Sequence, residues 1–173
     1  MNKKLAIIMT MIFTLILFIG LVSVMIFQNF TSAEAESSKI GGVVHSVESQ
    51  TKEVGGVIHS VEIKEDTTQD EIVTIMHKMT HQKVLADDKW GAIKMDPETI
   101  NEVYSVIEAS NFKDKAALLS IAKKWKEGNF SEADADHNFF WNLQNGTVGK
   151  AKGLMSEEQE KEFIKNNFHN LGR

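Results

Sequence analysis

The sequence predicts an all-α protein with an N-terminal transmembrane helix, a flexible or weakly β stalk, and a compact bundle of about five helices. Three observations support this architecture: an uncharged apolar run near the N-terminus, a glycine-rich tandem repeat after it, and five capped amphipathic segments in the remainder. The corresponding regions are residues 1–30, 31–66 and 67–173. Apolar residues make up 42% of the 173-residue chain, which is ordinary for one globular domain with appendages.

The apolar run extends from Leu5 to Phe27 and contains 23 residues without a charge. A helix of that length spans roughly 35 Å, which is enough to cross a hydrocarbon core of about 30 Å. Lys3 and Lys4 precede the run, and this predicts a cytoplasmic N-terminus with the rest of the chain outside. We therefore expect a single-pass cell-membrane protein with an extracytoplasmic C-terminal domain.

A signal-peptidase motif is also present, because Ala33-Glu34-Ala35 has small residues flanking one position. Cleavage after Ala35 would produce a secreted protein. The apolar run is longer than the 7 to 15 residues typical of a cleaved signal peptide, and its length favours a retained anchor.

The stalk contains an internal repeat. Residues 40–48 (IGGVVHSVE) recur fourteen positions later as residues 54–62 (VGGVIHSVE). Each copy has the alternation of a short strand after a Gly-Gly turn, but an isolated two-stranded hairpin is only marginally stable in water. A poorly ordered linker is the favoured interpretation, and strand addition to a partner protein's sheet is the alternative.

Five helices follow from helix-start signals and apolar spacing. Thr68 and Glu71 form a capping box, Asp96-Pro97 is an N-cap with proline at the first helical position, and Gly128 is a left-handed stop signal. Ser131 and Ser156 open the last two helices. We expect buried stripes at Ile72, Ile75, Met76 and Met79; at Ile100, Val103, Tyr104 and Ile107; at Ala117, Leu118, Ile121, Ala122 and Trp125; at Phe140 and Trp141; and at Phe163, Ile164, Phe168 and Leu171.

Two histidines stand four residues apart on the first helix. His77 and His81 are one turn apart on nearly the same face, so both imidazoles can reach one metal ion. His137 on the fourth helix is the candidate third ligand, and three histidines suit zinc with an open fourth position. Lys78 stands where a zincin metalloprotease has its catalytic glutamate, so this protease class is excluded.

The sequence leaves three interpretations of these histidines open. The favoured one is structural hydrogen bonding inside the bundle, because nothing in the sequence itself brings His137 near the pair. The second is a zinc site, and the third is an ion pair between His77 and a carboxylate such as Asp134, which would raise the histidine pKa. We predict no catalytic residue and no certain cofactor, with zinc as the candidate.

Composition excludes several other functions. The chain has no cysteine, so disulfides, thiolate metal sites and a cysteine nucleophile are excluded. Its formal charge of −5 argues against nucleic-acid binding. The glycine- and lysine-rich residues 146–153 do not have P-loop spacing, and we interpret them as a connector that covers one end of the bundle.

Four motifs resemble an uncharacterised family of small, N-terminally anchored proteins of Gram-positive bacilli. They are residues 76–84 (MHKMTHQKV), 89–91 (KWG), 136–141 (DHNFFW) and 143–154 (LQNGTVGKAKGL). Asn145 stands where we expect the family's glycine, and asparagine also tolerates a left-handed cap. The resemblance implies that the histidine motif and the Asp136-His137-Asn138 motif belong to one domain. It implies no activity.

The sequence therefore favours a membrane-anchored extracytoplasmic helical module for protein interaction or ligand sensing, with a cell-envelope protein as the partner class. The alternative is a zinc-dependent envelope hydrolase that uses His77, His81 and His137 as ligands, and a third option is metal storage. The sequence does not decide whether the protein is an enzyme, although a non-catalytic role is favoured.

Overall fold

The structure is a computed structural model that describes residues 50–168. These residues belong to one compact unit. The predicted membrane segment Leu5–Phe27, the Ala35 cleavage site, the first repeat copy and Leu171 lie outside the described residues. Within residues 50–168, no helix has the length and apolarity needed to cross a membrane.

Five helices build the unit, as the sequence predicts. They are α1 (Gln69–Thr80), α2 (Pro97–Ala109), α3 (Lys115–Lys126), α4 (Ala133–Leu143) and α5 (Glu157–Phe168). The prediction of a compact helical domain is confirmed. The all-α description needs one refinement, because residues 50–168 contain four strands of two residues each, one before α1 and three between helices.

The strands form two small sheets. Strand β1 (Val57–Ile58) pairs in parallel with β3 (Ala92–Ile93), and β2 (Val84–Leu85) pairs antiparallel with β4 (Gly153–Leu154). Such short strands cannot be stable alone, and each is held by the helices beneath it. Strand β1 belongs to the second copy of the repeat, so this part of the expected stalk packs onto the helical domain.

Helix starts agree with the capping signals at three of the predicted sites. Thr68 and Glu71 form the complete capping box of α1, and Asp96 accepts a hydrogen bond from the Thr99 amide at the start of α2. Before α5, the Ser156 hydroxyl accepts from the Gln159 amide, while Oε1 of Gln159 accepts from the Ser156 amide. Helix α4 begins at Ala133, two residues after Ser131, and no side chain caps it. Asn145, just beyond α4, has a left-handed backbone with φ of 54°, as expected for an asparagine cap.

The main core lies among α1 to α4, and it contains most of the predicted stripe residues. Four described positions differ from the prediction: Ala117 is exposed, and Tyr104, Trp141 and Ile164 are only half-buried. The fully buried stripe residues include Ile72, Met76, Met79, Val103, Ile107, Leu118, Ala122 and Phe140. This packing sets α1 beside α4, which determines where their polar side chains meet.

Candidate metal centre

The three candidate histidines meet where α1 packs against α4. His77 lies in the last turn of α1, and His81 is the residue that ends this helix with its backbone still helical. His137 lies on the inner face of α4 between Ala133 and Phe140, which are both fully buried. The spacing of these three α4 residues places them on one helix face, so core packing directs the His137 imidazole toward α1.

The imidazole rings form a tight cluster. The Nε2 atoms of His77 and His137 are 3.0 Å apart, and the two ring centroids are 4.4 Å apart. The His81 ring centroid is 5.1 Å from that of His77 and 5.5 Å from that of His137. One ring nitrogen from each histidine lies within 4.8 Å of the other two.

Neighbouring groups fix the ring proton of His77. Its Nδ1 is 2.5 Å from Oε1 of Gln144, while Nε2 of Gln144 donates to the Thr74 hydroxyl. That hydroxyl donates its own proton to the carbonyl of Asp70, so it must accept from Gln144. The amide orientation is thereby determined, and Nδ1 of His77 is the protonated nitrogen. Its Nε2 carries a free lone pair.

His81 and His137 are fixed in the same way. Nδ1 of His81 donates to the Gly91 carbonyl at 2.5 Å, and a carbonyl oxygen can only accept. Nδ1 of His137 is 3.2 Å from Oδ1 of Asn138. The Asn138 amide is oriented by two backbone bonds, since Nδ2 donates to the Ala151 carbonyl and Oδ1 accepts from the Ala151 amide. All three histidines therefore present unprotonated Nε2 atoms.

This arrangement creates an electrostatic conflict that a cation removes. The facing Nε2 atoms of His77 and His137 are both acceptors, and no proton is available between them while both rings are neutral. Burial lowers the pKa of His81 to about 3 and that of His137 to about 4, and it also lowers the pKa of His77. The rings are therefore neutral at pH 7, and the Nε2 lone pairs of His77 and His137 face each other.

The donor set fits a transition metal such as zinc. Neutral imidazole nitrogens suit Zn²⁺, and two nitrogens bound tetrahedrally at about 2.0 to 2.1 Å are roughly 3.3 Å apart, close to the His77–His137 spacing. In zinc sites the other ring nitrogen of each ligand usually donates to an oxygen acceptor, and here Gln144, Gly91 and Asn138 supply those acceptors. Sequence analysis missed the role of these three residues, although all three lie within the quoted motifs.

A cavity of about 300 Å³ opens beside the cluster. Its wall includes the three histidines, Asp88, Trp90 and Trp141, together with Val148 and Gly149 of the connector. Trp90 is 73% exposed at this cavity, whereas Nε1 of Trp141 donates to the Val148 carbonyl. The connector thus covers one side of the cluster, and a ligand can reach the metal position from the other.

The predicted ion pair between His77 and Asp134 is not formed. Gln144 and His137 face the two ring nitrogens of His77. The pKa of this histidine is lowered by burial rather than raised by a carboxylate. That alternative was wrong because the acceptor beside Nδ1 is a neutral amide.

Asp136, the residue before His137, forms a separate buried network. Its carboxylate accepts from Nζ of Lys124 at 2.9 Å and from Nε1 of Trp125 at 3.0 Å. Asp136 is 5% exposed and Trp125 is 1% exposed. Each carboxylate oxygen thus has a donor within the protein, and this network offers no free ligand atom.

Comparison with known protein families gives one match. The model of a family of unknown function, DUF6241, matches residues 76–165. The matched segment contains all three histidines and their three oxygen partners, and it covers more than half of the chain. No curated protein and no solved structure matches the chain significantly.

Proposed function

We propose that this chain, which belongs to the DUF6241 family, is a ligand-sensing module whose ligand is a divalent transition metal, with zinc as the first candidate. The ligands are the Nε2 atoms of His77, His81 and His137. One observation carries the proposal: every Nδ1 of the trio faces an oxygen acceptor, so every Nε2 lone pair is free. A metal ion is the partner that satisfies three converging lone pairs at once.

A purely structural histidine cluster is the competing interpretation. Such a cluster would link one protonated nitrogen to one unprotonated nitrogen, as neutral histidines do when they hydrogen-bond to each other. Here the oxygen partners of Nδ1 in His77 and His137 favour the opposite tautomers, with the proton of each ring on Nδ1. The cavity beside the trio also leaves room for a further metal ligand, such as water or a small molecule.

The predicted location gives the metal module its setting. We propose that the Leu5–Phe27 segment anchors the chain in the cell membrane and that the helical unit lies outside the cytoplasm. In that position the site would bind metal ions of the envelope, and the exposed Trp90 and connector would present the loaded state to an envelope protein. Metal storage differs from sensing in having no such partner.

The direct test is metal content and affinity of the full chain purified in detergent. We expect about one zinc per chain, and we expect each of the variants His77→Ala, His81→Ala and His137→Ala to weaken binding by more than about 100-fold. His59→Ala is the matched control, because His59 is exposed and lies outside the cluster. Cobalt loading adds an optical spectrum that reports the coordination number. A wild-type chain that binds no metal and folds equally well in chelator would refute the proposal.

A second candidate function is metal-dependent hydrolysis, and one observation favours it. Asp88 is a carboxylate that lines the same cavity as the three histidines. A carboxylate near a metal-bound water can act as a general base in hydrolysis. The metal would supply the activated water, while Asp88 would accept its proton.

Asp88→Asn separates hydrolysis from metal sensing. A hydrolase predicts zinc-dependent cleavage of a chromogenic ester that falls by roughly 100-fold or more in this variant, with zinc affinity unchanged. Asp87→Asn is the matched control, because the Asp87 carboxylate instead pairs with Lys152. Zinc binding without hydrolysis would leave the sensing module as the function.

A further inference from the structure

The second copy of the repeat is held in a groove of the helical unit. Its apolar side chains contact two clusters: Ile58 and Val61 pack on the main core, and Val54 and Val57 pack beside Phe163 and Phe168. The polar residues His59, Ser60 and Glu62 are exposed. The groove therefore selects a spaced set of apolar side chains.

Backbone atoms make nearly all polar contacts between this segment and the groove. The Gly91 amide donates to the Gly55 carbonyl, and the Val54 amide donates to the Asn167 side chain, both at 2.8 Å. Side chains of Asn166 and Asn167 donate to the carbonyls of Thr51 and Lys52. These bonds do not depend on the side chains of residues 50–62. The exception is Oε1 of Gln50, which accepts from the Ala86 amide.

The first copy of the repeat keeps an apolar residue at each position whose counterpart in residues 54–62 packs in the groove. Val43 and Val47 are identical to their counterparts Val57 and Val61. The remaining two apolar positions differ by one methylene each. The first copy has the larger side chain at one of them, where Ile40 corresponds to Val54, and the smaller at the other, where Val44 corresponds to Ile58. The summed side-chain volume is therefore unchanged, which is the kind of substitution that packing tolerates best.

The glycine and acceptor positions match as well. Gly56 has φ of 78°, a conformation that favours glycine, and its counterpart is Gly42. Gln50 corresponds to Glu36, whose carboxylate can also accept from the Ala86 amide. Buried Lys89 donates through Nζ to the Gln50 carbonyl and lies over the Phe163 ring, so a Glu36 carboxylate docked in place of Gln50 would stand near a group that can carry positive charge.

We propose that the groove binds either copy of the repeat, and that residues 36–48 of the same chain are its second occupant. The exchange moves the attachment point fourteen residues toward the N-terminus, which is roughly 46 Å of extended chain. The displaced second copy becomes part of a loop, and loop-closure entropy grows only with the logarithm of loop length. Ile63 packs on the core and corresponds to Ser49, so the second copy is the main occupant.

Two glycine variants, alone and combined in the full chain, test whether the two copies exchange in the groove. If they do, the shift in urea midpoint of the double variant exceeds the sum of the single shifts. Valine disfavours positive φ, so Gly56→Val weakens docking of the second copy and Gly42→Val weakens docking of the first. We expect Gly42→Val to leave the urea midpoint unchanged and Gly56→Val to lower it slightly. The double variant should show at least twice the shift of Gly56→Val. Equal shifts for Gly56→Val and the double variant would overturn the proposal.

Cysteine pairing identifies the occupant, because the chain has no native cysteine. Val57 and Ala92 are register partners, so Val57→Cys with Ala92→Cys reports the second copy and Val43→Cys with Ala92→Cys reports the first. In the Gly56→Val background we expect the first-copy pair to form an intramolecular disulfide at least five times faster than a Ser49→Cys and Ala92→Cys control. Rates equal to the control, or disulfide-linked dimers, would overturn exchange within one chain.

Discussion

Two consecutive residues of α4, Asp136 and His137, enter two buried polar clusters of opposite character. The Asp136 carboxylate has a donor for each oxygen, from Lys124 and Trp125. The His137 ring has an acceptor at Nδ1 and a second acceptor, Nε2 of His77, at its other nitrogen. One cluster is complete within the protein, and in the other, two ring nitrogens face each other as acceptors.

The difference shows that burial of polar side chains is not by itself a sign of function. Buried polar groups are normally matched donor to acceptor, and Asp136 follows this rule. The histidine cluster departs from it only when the proton positions are worked out from Gln144, Gly91 and Asn138. The location of protons, rather than the count of polar contacts, thus separates a structural network from a candidate metal site.

The largest expected effect comes from a substitution that disrupts the Asp136 cluster. Asp136→Ala leaves the buried Trp125 Nε1 without an acceptor and removes the partner of Lys124, so we expect a loss of about 3 kcal/mol of unfolding free energy. Asp136→Asn is the matched control, because the amide oxygen still accepts one of the two donors. Chemical denaturation measures the loss, and zinc titration should show full stoichiometry in the folded fraction. A change in zinc affinity with unchanged stability would contradict the distinction between the two clusters.

Acid is expected to destabilise the metal-free protein through the histidine cluster. Burial holds the pKa of His81 at about 3 and of His137 at about 4, so between these values and about 6.5 the unfolded chain binds more protons than the folded chain. Unfolding free energy should therefore fall as pH decreases from about 6.5 toward 4, by up to about 1.4 kcal/mol per pH unit for each buried histidine.

Urea denaturation in chelator at several pH values between 7 and 5 measures this slope. His81→Leu should reduce it, because one group with a lowered pKa is removed. An unchanged slope in this variant would show that His81 does not exclude protons when folded.

The smallest expected effect concerns the partner of His77. Gln144→Ala removes the acceptor at Nδ1, and we expect a roughly tenfold weaker zinc affinity, or about 1.4 kcal/mol, with little change in stability because Gln144 is exposed. Gln144→Glu retains an acceptor and should restore the affinity. Isothermal titration of both variants makes the comparison. Equal affinity of Gln144→Ala and the wild-type chain would remove this residue from the site.

Much of the helical architecture was predictable because its signals are local. The Thr68 capping box, Asp96-Pro97 and Asn145 act within one turn of chain, and the apolar stripes of α1 and α2 follow from helix geometry. The His77–His81 pair was visible for the same reason, as its four-residue spacing is a property of a single helix.

The remaining features depend on contacts between distant parts of the chain. His137 reaches His77 across a separation of sixty residues, and this meeting is set by how α1 and α4 pack. The two-residue strands carry too little periodicity to be recognised, and β1 forms only because β3 and the apolar clusters receive it. Gln144 and Asn138 lie within the quoted motifs, but their role was not predictable, because a neutral amide acquires its role from its neighbours.

Asn138 joins the candidate site to the connector through a single oxygen atom. Its Oδ1 accepts from the Ala151 amide at 2.8 Å and lies 3.2 Å from Nδ1 of His137. The same amide group donates to the Ala151 carbonyl, so ring orientation and connector position are mechanically linked. Thermodynamic reciprocity then applies to the two binding events. If a bound ion raises the affinity of residues 146–151 for a partner protein, binding of that partner raises the affinity of the site for the ion by the same factor. Partner docking and ion release would thus be coupled, so that a change in one shifts the other.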